Sequence, residues 1–450
     1  MKKIIQTILL FSAIALTGCG GSGSDSTVSN DTPTPTPTPT PQKSNSDPEA
    51  DFDGNVTING VKHPGMMSTM SQLNTLQQRY QNGDVKTTRL VNDLIDYINQ
   101  DGLRIRKPGI ENPETGGGAL IYCGGFNKGR DGVTKILACD WPAEDGITAY
   151  TFALLSYITK DTMYAVTALD YLNAWTDENN FKGFDTEGLN APLQHGWILP
   201  WFTNAAEILR YSYEGWTDSH TQKMNELVNR LLPLVTSDKI GAPQNWLHSR
   251  IEGHIAAAIW LSDMQMLTAA FDRWKAASRT YIYIDADNGQ PLPSINTQYR
   301  GTLVEYWDTP KFVAGLTMET CRDLDHQSLG MKSIFNSLMM ANNQGIDVLE
   351  GNDNKERLVT FLQVQPVWTQ SKLDNPDGIC NNPVIIKGND DTGIKLSSQT
   401  VRYPYVLGYS LLKSTDFPLL LIKNDIEKSP TVSASRWVTK WESLLASALE

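Results

Sequence analysis

Helical periodicity constrains this chain more than any other feature of its sequence. Apolar residues recur at three- and four-residue spacing over 145–159, 162–175, 203–213, 220–232, 245–261 and 264–278, and again over 327–341, 355–364 and 434–449. Each stretch can therefore bury one face as an amphipathic helix of ordinary globular length. The intervening loops are rich in Gly, Asp, Asn or Pro, which predicts consecutive antiparallel helical hairpins. Hairpins in series close into a solenoid or an (α/α) toroid, and the lack of a fixed sequence period argues against a repeat solenoid. The predicted fold class is mostly α, an incomplete (α/α) toroid or barrel with a few short β-ribbons. The best strand signals, 280–284 (TYIYI) and 383–387 (PVIIK), are short and are expected as ribbons near the barrel mouth.

The first fifty residues obey a different rule. Lys2 and Lys3 precede an apolar run over 4–16 that is too short to span a bilayer, and Thr17-Gly18 leads into Cys19. Leu16-Thr17-Gly18-Cys19 matches the bacterial lipobox, so Cys19 is expected to be diacylated and to become the N-terminus after cleavage. Position 20 is glycine rather than aspartate, which favours an outer-membrane lipoprotein, on its periplasmic or cell-surface side, in a Gram-negative host. Residues 20–48, with a Thr-Pro repeat over 32–41, have too little apolar surface to offset their ordering entropy and read as a disordered, semi-extended tether. The predicted organisation is a signal peptide over 1–19, the tether over 20–48, and an (α/α) toroid catalytic domain over 49–450, acting as a monomer. Its only expected membrane contact is the lipid anchor.

Charged residues make up 20% of the chain and hydrophobic residues 40%, the balance of a domain able to build a core. A formal charge of −12 disfavours nucleic acid as a partner, and no basic run offsets it. An anionic substrate stays compatible, because a local cluster of Arg, His and Lys in a cleft can oppose the global sign. Besides Cys19 there are Cys123, Cys139, Cys321 and Cys380. In an exported protein they permit three full pairings that sequence cannot rank, although Cys123 with Cys139 would close a short loop. No CxxC or HxxxH spacing suggests a metal, and no cofactor is expected.

Three segments concentrate residues able to do chemistry. The first is HGWILPWF, with His195, Trp197 and Trp201 read as loop or helix-end residues; with Trp216, Trp246, Trp307 and Trp368 they offer indole faces on which sugars stack, though each is more often core than platform. The second, QNWLHSRIE, opens a helix on which Asn245, His248, Ser249 and Glu252 share a polar face, a pattern equally consistent with capping and solvent exposure. The third runs over 299–330 and holds Tyr299, Arg300, Tyr306, Trp307, Glu319, Arg322, Asp323 and His326. Helical spacing allows Glu319, Arg322, Asp323 and His326 to form an internal ion-pair network instead of a site.

The succession QNWLHSRIEGHIAAAIWLSD, EYW and GLTMETCRDLDHQSLGM resembles the alginate lyase family of polysaccharide lyases, in which NW, an apolar helix ending in D, YW and ETCRDxxH recur in that order. His63-Pro64-Gly65, LNAW over 172–175 and AAEILRY over 205–211 fit the same pattern, and the resemblance covers residues 63–370. Two departures stand out: a Tyr-Asn-His element common toward the C-terminus of family members is missing from VRYPYVLGYSLL, and family members differ in the residues after Asn-Trp. The resemblance implies β-elimination on an acidic polyuronate, alginate or glucuronan-like, without a metal. Asn245 with an Arg would neutralise the substrate carboxylate. Tyr306 would be the acid, and a base as well if a cation such as Arg300 or Arg322 lowers its ordinary pKa of about 10. His248 is the first candidate for a separate base, with His195 and His326 behind it. Arg300 and Arg322 would grip carboxylates, with Trp246, Trp307 and Tyr299 lining the substrate. Two rival functions are a glycoside hydrolase using two of Glu252, Glu319 and Asp323, and a non-catalytic glycan-binding lipoprotein.

Overall fold

Most helices form where the periodicity places them, and most extend beyond it. The computed structural model describes residues 51–450 apart from 53, 101–102, 112–118, 238–244, 296–306, 308, 323, 371–379, 381–402, 415–418, 420–422 and 424–440. An antiparallel hairpin, β1 (Val56–Ile58) and β2 (Val61–His63), sets Val56 opposite His63. It leads into α1 (Met70–Gln81), α2 (Val85–Ile98) and the short α3 (Pro108–Glu111). Next come β3 (Leu120–Ile121), α4 (Trp141–Thr159), α5 (Thr162–Thr176) and β4 (Gly183–Phe184), with β3 and β4 paired in parallel. The rest is helical: α6 (Ala191–Ser212), α7 (Asp218–Thr236), α8 (Asn245–Trp260), α9 (Met264–Tyr281), α10 (Leu324–Gln344), α11 (Asn354–Gln370), α12 (Tyr403–Leu412) and α13 (Glu442–Ser447).

Local chemistry explains the ends. Thr69 closes a capping box with Gln72 at the start of α1, and the side chains of Asp84, Asp161 and Asp263 accept from Thr87, Met163 and Met266 amides at 2.8, 2.9 and 2.9 Å. Two hairpin turns use non-glycine residues in the left-handed region, Lys160 at φ +62° and Ser262 at φ +54°.

Three expectations change. HGWILPWF is not a loop: α6 begins at Ala191, with one proline in its first turn, where no amide donor is needed, and Pro200 in its interior. Just after Pro200 side chains add donors to the helix carbonyls, Thr203 Oγ1 to the Leu199 carbonyl at 2.7 Å and Asn204 Nδ2 to the Pro200 carbonyl at 2.6 Å. The predicted strand over 280–284 is helix as far as Tyr281; the ribbon starts after it, with Ile282 bridging Thr317 and the Tyr283 amide donating to the Leu316 carbonyl at 2.8 Å. The helices α1 and α2 lie outside the expected stretches: α1 buries only the narrow stripe Met70, Leu73 and Leu76 on a polar helix, whereas α2 buries Thr87, Leu90, Val91 and Leu94 on one face, a helical period that the expected stretches do not include. The strand signal at 383–387 and most of the helix expected over 434–449 lie outside the described residues.

The helices form two layers. In the inner layer α1, α4, α6, α8, α10 and α12 pack each against the next, while α2, α5, α7, α9 and α11 cover them from outside. The short α13 lies between α12 and the first two helices, where the Arg79 guanidinium donates to the Ser447 carbonyl at 2.7 Å. The ring is thus mostly α and incomplete, a toroid joined at its seam by a helix of 6 residues. Neighbouring inner helices run in the same direction: Gly146 of α4 lies against Trp201 and Phe202 of α6, Gly196 of α6 against Ser249 and Gly253 of α8, and Ser249 and Glu252 of α8 against Ser333, Lys332 and Asn336 of α10. At the α6–α8 crossing a Cβ on Gly196 would stand 2.7 Å from the Ser249 backbone. Only glycine permits that approach.

Two sequence-distant motifs meet in this frame. His63 Nδ1 is 2.5 Å from Glu207 Oε1, and the other Glu207 oxygen accepts the Gly65 amide at 3.0 Å. Trp175 donates its indole N–H to the buried Asp145 at 2.8 Å.

Candidate functional site

Because the inner helices share a direction, the N-terminal turns of α6, α8 and α10 lie at one end of the ring. At the start of α8 the Asn245 amide donates to Glu319 Oε1 at 3.3 Å, and Arg322 Nη1 lies 3.4 Å from Glu319 Oε2. Glu319 is fully buried, whereas the Arg322 side chain is 39% exposed, so this ion pair joins a buried carboxylate to a guanidinium at the solvent boundary. A disulfide between Cys321 and Cys380 ties down the same turn, and a second joins Cys123 to Cys139. Of the three pairings that the sequence allows, these two bonds select one.

The turn is held from behind by a chain of buried polar groups. Thr320 Oγ1 donates to Gln327 Oε1 at 2.6 Å, and Gln327 Nε2 donates to Gln365 Oε1 at 2.9 Å and to Tyr405 Oη at 3.2 Å. Loop, α10, α11 and α12 are thereby linked through one fully buried glutamine.

In front of the turn the bonding stops. Neither side-chain atom of Asn245, neither ring nitrogen of His248 and not the hydroxyl of Tyr281 has a hydrogen-bond partner among the described residues, although each residue is about 1% exposed. Leaving such a group unsatisfied costs about 1–3 kcal/mol, and buried polar groups are nearly always paired. The His248 and Tyr281 rings meet edge to face at 4.6 Å. Burial lowers the His248 pKa to about 3, with the Arg273 charge acting in the same direction. Tyr281 is pushed well above its ordinary value, first by burial and then by the Glu319 carboxylate. At neutral pH the pair is a neutral imidazole beside a neutral phenol.

The remaining sequence candidates are dispersed. His195 is buried on α6, with Nδ1 at 3.0 Å from the Leu231 carbonyl and Nε2 accepting the Phe184 amide at 3.3 Å. Both ring nitrogens serve the backbone, and burial lowers its pKa to about 4. His326 is half-buried in the first turn of α10, and Trp246 half-buried in that of α8. Trp307 is buried, packed edge to face on Phe312 at 5.6 Å. Trp197 and Trp201 are buried as well, so they belong to the core rather than to a stacking platform. Tyr299, Arg300, Tyr306, Asp323 and Cys19 lie outside the described residues, as does the side chain of Trp368.

Glu252 is held by Lys332 Nζ at 3.0 and 2.9 Å and by Asn336 Nδ2 at 2.8 Å, with the Lys332 ammonium 5.1 Å from the Trp201 ring centre. Sequence reasoning missed Tyr281, Gln327 and Tyr405 as members of this region. For Tyr281 the apolar, β-rich run TYIYI masked the signal; for Gln327 and Tyr405 nothing local distinguishes them from ordinary helix residues.

No protein-family model and no curated protein matches the chain. Among solved structures, an alginate lyase from Bacteroides ovatus superposes with a TM-score of 0.60 at 11% identity, covering 85% of this chain and 99% of that one. The fold is similar to that of a solved alginate lyase. A variant of alginate lyase A1-III complexed with a tetrasaccharide overlaps at a TM-score of 0.38 and 14% identity, over 57% of this chain and 69% of the other. At these identities the likeness to the Bacteroides ovatus enzyme is one of fold.

Proposed function

We propose that this protein is a polysaccharide lyase that cleaves an acidic polyuronate, alginate or a glucuronan-like polymer, by β-elimination. The observation that carries the reading is the set of buried polar side chains at the start of α8 that have no partner among the described residues, near the Glu319–Arg322 pair, in a fold similar to that of an alginate lyase.

β-Elimination removes the C5 proton of a uronate, forms the C4=C5 double bond with that electron pair, and expels the glycosidic oxygen from C4 with a proton from an acid. The C5 proton is only weakly acidic while the adjacent carboxylate is ionised. Asn245 can donate to that carboxylate through Nδ2, and Arg322 supplies positive charge at the solvent edge, so both favour the enolate-like transition state. His248 is neutral above a pH of about 3, the protonation state a base requires. So weakly basic an imidazole accepts a proton poorly; the arriving carboxylate raises its basicity, and otherwise it serves as a hydrogen-bonding partner. Tyr306, by resemblance, supplies the acid, and in a syn elimination also the base if a cation such as Arg300 or Arg322 lowers its pKa. The hydrolase alternative weakens, because Glu252 is bound to Lys332 and Asn336 and Glu319 to Arg322.

Product analysis on a panel of polyuronates tests the reading. Unsaturated ends are expected; new reducing ends without a double bond would establish hydrolysis instead. We also propose that the protein is tethered to the outer membrane through a lipid on Cys19 and residues 20–48. Metabolic labelling with a fatty acid, lost in Cys19→Ala, is the expected result, and equal labelling of both forms contradicts it.

A further inference from the structure

We infer that Tyr281 is a substrate-contacting hydrogen-bond donor of this site, acting with Asn245 on the carboxylate of a bound uronate; the inference rests on the polyuronate reading above. Tyr281 is the last residue of α9, and its ring reaches inward between α8 and α10. Its hydroxyl stands where a side chain on Gly330 of α10 would be, since a Cβ there would lie 2.2 Å from the phenolic oxygen. A glycine at this point of α10 makes room for the phenol. The oxygen nevertheless finds no hydrogen-bond partner of good geometry among the described residues. The Thr317 hydroxyl, bonded to Thr320 Oγ1 at 2.9 Å, is near enough to act on the phenol but makes no hydrogen bond of good geometry with it.

The neighbours explain what such a group could serve. The ring lies edge to face with His248 at 4.6 Å. The Glu319 carboxylate, which accepts the Asn245 amide at 3.3 Å, is the foremost charge acting on the phenol. Asn245 and Tyr281, from two helices, thus border one carboxylate–guanidinium pair, and His248 lies against the Tyr281 ring. A phenol that stays protonated at every working pH can only donate to an anion, and it needs no reorganisation to do so.

A tyrosine held for structure and a tyrosine held for a ligand respond oppositely to loss of one oxygen. Removing a hydroxyl that bonds within the protein weakens the fold, whereas removing one that has no internal partner leaves stability unchanged or raises it. The experiment compares the full-length protein and Tyr281→Phe in three readouts: thermal midpoint, the rise in midpoint on adding a saturated oligomannuronate or oligoguluronate, and lyase rate. The expected result is an unchanged or higher midpoint for Tyr281→Phe alone, a smaller ligand-induced rise, and at least a tenfold loss of kcat/KM. An equal ligand-induced rise and an equal rate in both proteins overturn the inference, as does the absence of any ligand-induced rise in either. A lower midpoint with full ligand response also overturns it, because it marks an internal structural bond. If the ligand-induced rise depends on Tyr281 but neither protein forms unsaturated product, Tyr281 contacts the saccharide and the lyase reading alone falls.

Discussion

Asn245, His248 and His195 show how far neighbouring side chains decide what a residue type can do. His195 and His248 are both buried histidines with depressed pKa values, yet His195 spends both nitrogens on the backbone and His248, among the described residues, spends neither. That contrast is invisible in sequence, where each is simply a histidine near an aromatic run. Both make the same prediction about pH. Their folded pKa values, about 4 and about 3, lie below the ordinary 6.5, so the unfolded chain binds more protons throughout the interval. Their contribution is complete above pH 6.5 and is lost as pH falls toward 4 and then 3, at up to about 1.4 kcal/mol per pH unit for each histidine. Chemical denaturation at pH 7 and pH 5 should show the loss, and His195→Gln should make it shallower; an unchanged slope would mean that the imidazole is not desolvated. Asn245→Ala carries a complementary prediction: with no side-chain partner to lose among the described residues, stability should hold while the lyase rate falls about 10²–10³-fold, read from unfolding curves and initial rates on one preparation.

Among the elements, α6 and α8 do most to shape the ring, and α6 is also where sequence and structure part most usefully. Amphipathic period marks the outer helices and the exposed-faced stretches well. It fails over the first half of α6 because every residue from Ala191 to Phe202 is buried, which leaves no polar face to give a period, and because Pro200 reads as a breaker. The α6–α8 crossing depends on Gly196. Gly196→Ala would press a methyl into the Ser249 backbone, and a loss of about 1–3 kcal/mol is expected from overpacking, measured by denaturant unfolding; an unaffected midpoint would show that the helices can part without cost. The Cys321–Cys380 bond closes a loop with a sequence separation of 59, and by loop-closure entropy it contributes about 4 kcal/mol. Cys380→Ser should lower the thermal midpoint and loosen the Glu319–Arg322 turn, with activity falling before the global transition as temperature rises. Coincident loss of activity and fold would show that the turn does not depend on the bond.

At the scale of the whole molecule, the hairpin series was legible and so was the toroid, because each predicted helix needed a neighbour on its apolar face. The clustering of Asn245 with Glu319 and Arg322 was legible in part: the residues stand out in sequence, but their meeting depends on a turn braced by Gln327 and Tyr405 from helices that carry no local mark. Two motif pieces that read as one pattern turn out to be partners in space, His63 with Glu207, while Trp175 of a third bonds Asp145 of α4. They build the frame rather than the chemistry. The measurement that tests the central claim most directly is the ultraviolet absorbance of the C4=C5 double bond during incubation of the purified protein with alginate and glucuronan, run beside Asn245→Ala. Absorbance should rise on at least one polymer with the unaltered protein and fall at least a hundredfold in rate with the variant. A flat trace on every polyuronate, or equal rates in the two proteins, would contradict the account.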